Sequence, residues 1–173
     1  MSDLHLRDAR EGDGNGIQEV TLAAYSVYAS TMGPMWEFYK QSILETLADI
    51  TPAEQIVAER DGSVVGTALL FPPGTIFHGP GGESATLVWP EMRLLAVAPA
   101  AQGLGIGAAL VRECIRRAQK SGVAVLTLHT TEAMRVAMAM YERMGFHHAP
   151  ELDFHPAPNL TVKGYRLDLN ALT

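Results

Sequence analysis

The chain has 173 residues, 47% of them hydrophobic, which is enough for one compact domain with a full core and short for two. Its 13 basic residues against 19 acidic ones leave a net charge of −6, which argues against a domain whose affinity comes from neutralising nucleic-acid phosphates. Asp3, Arg7, Asp8, Arg10, Glu11 and Asp13 exclude a secretory signal, no apolar run is long enough to span a membrane, and the lone Cys114 excludes an internal disulfide or a multi-cysteine metal site; the expectation is a soluble cytoplasmic protein.

From the N-terminus, Leu4 to Arg7 alternates apolar and charged residues as a strand does. Asp13-Gly14-Asn15-Gly16 then supplies turn and cap chemistry, and Ile17, Val20, Thr21, Ala24 and Tyr28 recur at helical spacing. Met32-Gly33-Pro34 breaks that helix. A second one is predicted from Met35 to about Ala48, with Trp36, Tyr39, Ile43 and Leu47 on one stripe. The tip between the two helices is rich in Tyr25, Tyr28, Trp36 and Tyr39.

Gln55 to Glu59, an Asp61-Gly62 turn and Ser63 to Phe71 read as a hairpin. The next twelve residues, PPGTIFHGPGGE, are expected to hold no regular element and to form an exposed loop between strands. Ala85 to Val97 reads as one long strand, irregular at Pro90. An amphipathic helix follows, with Gly107, Leu110, Val111, Cys114, Ile115 and Ala118 inward, and Gly122 ends it. Val123 to Leu128 is a short apolar strand, and Ala133, Val136, Ala137, Met140, Tyr141 and Met144 repeat a helical stripe closed by Gly145. A strand begins at Phe146, and Thr161 to Leu169 is the last, reached through a proline-containing loop. The order β, α, α, β, β, β, α, β, α, β, β predicts a mixed α/β domain, 1–173, with a six- to seven-stranded sheet and helices on both faces.

Three glycines in five residues, Gly103-Leu104-Gly105-Ile106-Gly107, join an apolar strand to a helix. Such a turn aims free backbone N–H groups and the positive end of the helix dipole at one spot, which binds phosphate. Gly107 is followed by Ala108-Ala109, where a P-loop requires Lys-Ser/Thr, which argues against a nucleoside-triphosphatase. Gly103 to Ala108 does satisfy the dinucleotide fingerprint, but the next strand runs into Leu128-His129-Thr130-Thr131 without the acid which that fingerprint wants. A dinucleotide-dependent oxidoreductase is thereby weakened.

Gln102-Gly103-Leu104-Gly105-Ile106-Gly107, after Leu95-Ala96-Val97-Ala98-Pro99, resembles the acyl-coenzyme-A signature of the GNAT superfamily of N-acetyltransferases, Q/R-x-x-G-x-G/A. A second block, Ala137 to Phe146, is similar to the family's A-x-x-x-Y-x-x-x-G-F helix and strand. The resemblance covers essentially the whole chain and implies the family's fold, with acetyl-CoA as co-substrate and no metal. It implies that the backbone of Gln102, Gly103, Leu104, Gly105, Ile106, Gly107 and Ala108 holds the pyrophosphate. Leu95, Ala96 and Val97 would face the pantetheine arm, on a strand that splays away from Val123 to Leu128. Met134 and Gln102 depart from the residues commoner in the family at those places.

An amine needs a base to shed its proton, and Glu91, six residues before Val97, stands where many family members carry a glutamate. Tyr141 matches the family's tyrosine, which protonates the departing thiolate. The plain alternatives are a solvated strand glutamate and a packed tyrosine. Cys114 reads as an inert core thiol, and His147, His148, Glu151, Asp153 and His155 as a polar strand and loop, since alternation sends His147 and His148 to opposite faces. His129 ends its strand on the side of the active site and is a candidate substrate contact, as are Tyr28 and Trp36 of the aromatic tip; with residues 72–83 that tip would shape an acceptor pocket. The reading is direct acetyl transfer to a primary amine of a small molecule or peptide, with no nucleic-acid or membrane partner. Homodimerisation is common in the family, though no segment here demands it, and the alternative is a non-catalytic acyl-CoA-binding domain.

Overall fold

The computed structural model describes residues 3–79 and 81–172. In chain order these form β1 (Leu4–Asp8), α1 (Gly14–Tyr25), α2 (Ala29–Met32), α3 (Met35–Ala48), β2 (Glu54–Arg60), β3 (Ser63–Phe71), β4 (Ile76–His78), β5 (Ser84–Thr86), β6 (Glu91–Val97), α4 (Ile106–Lys120), β7 (Val125–Thr130), α5 (Arg135–Arg143), β8 (His147–His148), β9 (Phe154–Ala157) and β10 (Leu160–Asp168), with short 3-10 turns between some of them. The mixed α/β class is as expected. The contacts divide the chain into two units, one running to Leu70 and taking in Leu94–Cys114, the other taking in Phe71–Arg93 and everything from Ile115. The division falls inside β6.

In the first unit β1 pairs antiparallel with β2, and β2 with β3. Asp61 (φ 52°) and Gly62 (φ 75°) both take the left-handed conformation that a tight two-residue turn requires, which is why the Asp-Gly pair sits there. Arg7 donates to Asp13 at 2.7 Å and also to Glu59, tying the first strand to the start of α1 and to β2. Ile56, Val57 and Ala58 of β2 and Leu110, Val111 and Cys114 of α4 are fully buried, so the apolar stripe read from the sequence is the packed face of that helix. A Cβ on Gly66 would lie 3.0 Å from both Ile106 Cγ2 and Leu110 Cδ1, so the bare backbone of β3 is what lets α4 settle. Met35–Ala48 forms the helix predicted there, and Ile43 is its buried anchor.

In the second unit β10 is the hub. It pairs antiparallel with β7, from Lys163↔Thr130 to Asp168↔Val125, and with β8 and β9. The N-terminal end of β6 runs parallel to β7, with Glu91 opposite Thr127 and Met92 opposite Leu128.

The structure corrects the sequence reading in this unit. The stretch 72–83, expected to hold no regular element, contains β4, which pairs with β5; Pro80 lies outside the described residues. Glycines at 79, 81 and 82 disguise this hairpin, while Phe77 anchors it edge-on to Phe71 at 5.1 Å between ring centroids. The single strand read from Ala85 to Val97 is two, β5 and β6. Pro90 has no N–H for a ladder, and its carbonyl accepts instead from the amide and the hydroxyl of Thr127, both at 2.9 Å. The loop before the last strand contains β9, and the strand read as Val123 to Leu128 lies two residues later. Val136, placed on the inner stripe of α5, is 86% exposed, because that helix starts only at Arg135 and Tyr141 is its buried residue.

Gly66→Val should lower stability by about 1–3 kcal/mol through overpacking against Ile106 and Leu110. Urea unfolding followed by circular dichroism checks this, with Gly62→Ala as a control that acts through backbone strain alone.

Candidate active site

The glycine turn lies in the first unit. Gly103 (φ 77°) and Gly105 (φ 78°) are left-handed, and a Cβ on either would meet nothing within 4 Å. These glycines therefore serve backbone conformation and leave open space before the turn, and they are not there to fit packing. Ala109 N–H donates to the Gly105 carbonyl at 3.0 Å, the first helical bond, so the N–H groups ahead of it lack helical partners. Ile106, buried to 1%, and Leu110 lock the start of the helix, which fixes those N–H groups in place. Gln102 reaches back to the Val97 carbonyl at 3.3 Å, closing the turn onto the end of β6. Residues 102–108 of this turn are the ones the sequence singles out for a pyrophosphate.

The second unit holds a buried carboxylate. Glu91 is 2% exposed, on the first residue of β6. Arg93, two residues on and therefore on the same face of the strand, donates from Nε to Glu91 Oε1 at 2.6 Å. His129, on the neighbouring β7, brings Nδ1 to the same oxygen at 3.2 Å, and its Nε2 lies 2.9 Å from the Leu152 carbonyl. The guanidinium carbon of Arg93 lies 3.6 Å from the ring centroid of Phe77, a cation–π contact supplied by β4. A cavity of about 130 Å³ opens against this group, walled by Leu87, Val88, Trp89 and Leu152, with Thr127, His129 and Glu91 as its polar floor.

Burial pushes the Glu91 carboxyl upward, but the hydrogen bond to His129 and the charge of Arg93 outweigh it and hold the group below its ordinary value. Burial likewise pushes the His129 imidazole down, while its bond to Glu91, that carboxylate's charge and the Leu152 carbonyl hold it above its ordinary value. A carboxylate and a carbonyl only accept, so both are satisfied only by the imidazolium form, which donates from both nitrogens.

Of the residues singled out from the sequence, Glu91 and His129 are brought together. Tyr28 and Trp36 belong to the first unit, where Tyr25 meets Tyr28 (6.3 Å) and Tyr39 (5.9 Å), and Tyr39 meets Trp36 (6.5 Å), one chain of edge and tilted ring contacts. Tyr141 is buried and packs against Phe146, at 5.8 Å between centroids. His148 and Asp153 of the polar cluster meet at 2.9 Å, and Asp153 also takes the Gly164 amide. The sequence reading missed Arg93 and Leu152. The i, i+2 spacing of Glu91 and Arg93 could have signalled the first, whereas a backbone carbonyl leaves no mark in a sequence.

The profile of the Acetyltransferase (GNAT) family matches residues 21–146, and the chain belongs to that family. It is 32% identical over 155 residues to a mycothiol acetyltransferase of Nocardia farcinica, covering 88% of this chain and 44% of that protein. The chain spans little more than half the length of the curated relatives it matches, or less. Among solved structures, a GNAT family acetyltransferase of Brucella melitensis in complex with acetyl-CoA is 28% identical, with a TM-score of 0.58 and coverage of 84% of this chain and 83% of that one. The PaiA N-acetyltransferase of Thermoplasma acidophilum, in complex with coenzyme A, shares the fold at 13% identity, with a TM-score of 0.69 over 96% of this chain and 99% of that one. Among the described residues no helix is long and apolar enough to cross a membrane.

The Glu91–His129 pair should leave a pH signature on stability. Glu91, lowered from 4.5, contributes stability present above that value and lost as pH falls through its folded pKa. His129, raised from 6.5, contributes stability present below that value and lost as pH rises through its folded pKa. The difference in melting temperature between wild type and His129→Gln should therefore be largest between about pH 4.5 and 6.5 and shrink on either side; thermal melts across pH 3.5–9 measure it.

Proposed function

We propose that the protein transfers the acetyl group of acetyl-CoA to a primary amine. The observation that carries this reading is a buried carboxylate facing a small, mainly apolar cavity in a chain of the GNAT family. The relatives named above are acetyltransferases, and two related structures hold acetyl-CoA or coenzyme A.

Bound acetyl-CoA would supply a thioester whose acyl carbon the amine attacks. The backbone N–H groups of Gly103 to Ala108 hold its pyrophosphate, with the open space before Gly103 and Gly105 admitting phosphate oxygens. Leu95, Ala96 and Val97 present backbone to the pantetheine arm. The cavity walls of Leu87, Val88, Trp89 and Leu152 suit an apolar body behind the amine.

An alkylammonium loses its proton about 3 units above neutral pH, so presenting the free amine costs about 4–5 kcal/mol. Glu91 receives the ammonium: both of its hydrogen bonds among the described residues fall on Oε1, and Oε2 is the oxygen left for the acceptor. As the N–C bond forms and the C–S bond breaks, the nitrogen gives up two protons in all. One is matched by the proton Tyr141 donates to the departing sulfur, and the other leaves through Glu91.

Coenzyme A and acetyl-CoA should each raise the melting temperature and NADH should not, because a ligand that binds only the folded state stabilises it. Thiol release with phenethylamine, putrescine and a peptide with an N-terminal alanine then tests transfer. Glu91→Gln should lower kcat/KM by about 10²–10⁴-fold and Tyr141→Phe should lower kcat, both with coenzyme A binding retained. Stabilisation without transfer to any amine would leave an acyl-CoA-binding protein, and stabilisation by NADH alone would overturn the whole reading.

A further inference from the structure

His129 is held in a socket whose construction exceeds what a lining residue needs. Its partner in the β7–β10 register is Gly164, and a Cβ there would fall 2.2 Å from Leu152 Cβ and 3.0 Å from the Leu152 carbonyl carbon. Leu152 thus packs on bare backbone, and only this brings its carbonyl to Nε2. The same glycine fastens the whole segment: its N–H donates to Asp153 Oδ1 at 2.8 Å, and its carbonyl accepts from Ala149 N–H at 2.8 Å. On the other side of the ring Nδ1 faces Glu91 Oε1.

Both of these partners are acceptors. A neutral imidazole has one N–H, so one ring lone pair must confront an oxygen; the imidazolium has two and satisfies both. The charged groups around the ring are Glu91 and Arg93 from β6. From β9 the Phe154 ring stands edge-on to it, 5.3 Å away. From β10 the neighbouring cation, Lys163, is tied to Glu132 at 2.8 Å, and Asp153 is taken by His148 and Gly164. Among the described residues Glu91 is thus the one carboxylate bonded to the ring, and the two side chains line the cavity together.

We propose that the base of this site is the Glu91–His129 pair, in which Glu91 conveys the acceptor's proton and His129 Nδ1 ends with it. Starting from carboxylate and neutral imidazole, one ammonium N–H bond breaks, one Nδ1–H bond forms, and the positive charge moves from the acceptor to the ring. The pair is left as carboxylate and imidazolium, the form in which both ring nitrogens donate, and the proton passes to solvent before the next turnover. Glu91 alone, gripped by Arg93 and His129, is a weak resting place for a proton at neutral pH; an imidazole is matched to that range. The inference rests on the acetyltransferase reading above.

The test is the ratio of kcat/KM between wild type and His129→Gln from pH 5.5 to 9, at saturating acetyl-CoA, with whichever of phenethylamine, putrescine or the alanine peptide wild type turns over fastest. The acceptor's own ionisation cancels in this ratio. The expected ratio is flat at alkaline pH, about 10²-fold above unity, and falls tenfold per pH unit below the pKa of His129. Nitrogen-15 NMR of the imidazole in the wild-type protein reads that pKa without turnover, and should show both nitrogens protonated past pH 6.5. A ratio flat across the whole range, or a ring already neutral below pH 6.5, overturns the proposal while leaving the acetyltransferase reading intact. Transfer to none of the three amines overturns both.

Discussion

The second unit is organised around one constraint, that a carboxylate removed from water needs partners. Glu91 is 2% exposed, and a lone charge there would cost several kcal/mol. Its partners come from separated parts of the sequence: Arg93 from its own strand, His129 from β7, and through His129 the carbonyl of Leu152. Breaking such an arrangement at one member typically costs about 3–5 kcal/mol, because the charge left behind is uncompensated. The β4–β5 hairpin has a place in this scheme. Phe77 lies on the guanidinium of Arg93, whose side chain is 34% exposed, and restricts a long flexible side chain to the orientation in which Nε meets Glu91.

The first unit obeys a different constraint, that of the backbone. The anion-binding role proposed for the turn before α4 calls for N–H groups without helical partners, and two left-handed glycines shape the turn without side chains in front of it. The rigidity comes from behind. Ile106, Leu110, Val111 and Cys114 fix the helix, and Gly66 on β3 clears room for it. Cys114 belongs to this buried face, which accounts for it as a small apolar side chain.

What the sequence made legible follows from the range of each interaction. The Met35–Ala48 helix, the Asp61-Gly62 turn, Ser63–Phe71 and the inner stripe of α4 depend on neighbours within a few residues, and periodicity with turn chemistry locates them. Glu91, Tyr141 and the glycine turn are visible because their residue types keep a fixed spacing. The β4 strand is hidden, since only three residues pair and glycines surround them; its stability comes from Phe71 and Arg93, neither of which a local pattern reveals. The same holds for β9, made a strand by the facing β10. His129 can be placed at the end of a strand from sequence, but its socket depends on Leu152 and Gly164, 23 and 35 residues away.

That socket gives the C-terminal part of the second unit its chemical meaning. The segment after α5 could reach β10 by many routes if its task were only to close a sheet edge. It instead carries a 3-10 turn, Pro150–Leu152, laid against the one position of β10 that has no side chain and fastened there by Ala149 and Asp153. The product of this arrangement is a single carbonyl oxygen 2.9 Å from a ring nitrogen. An acceptor at that distance selects the N–H form of Nε2, so the other nitrogen becomes the site where protonation is decided, and that nitrogen faces Glu91. The glycine at 164 is therefore a determinant of the electrostatics at Glu91, exerted through two intervening residues and invisible in any inventory of charged side chains.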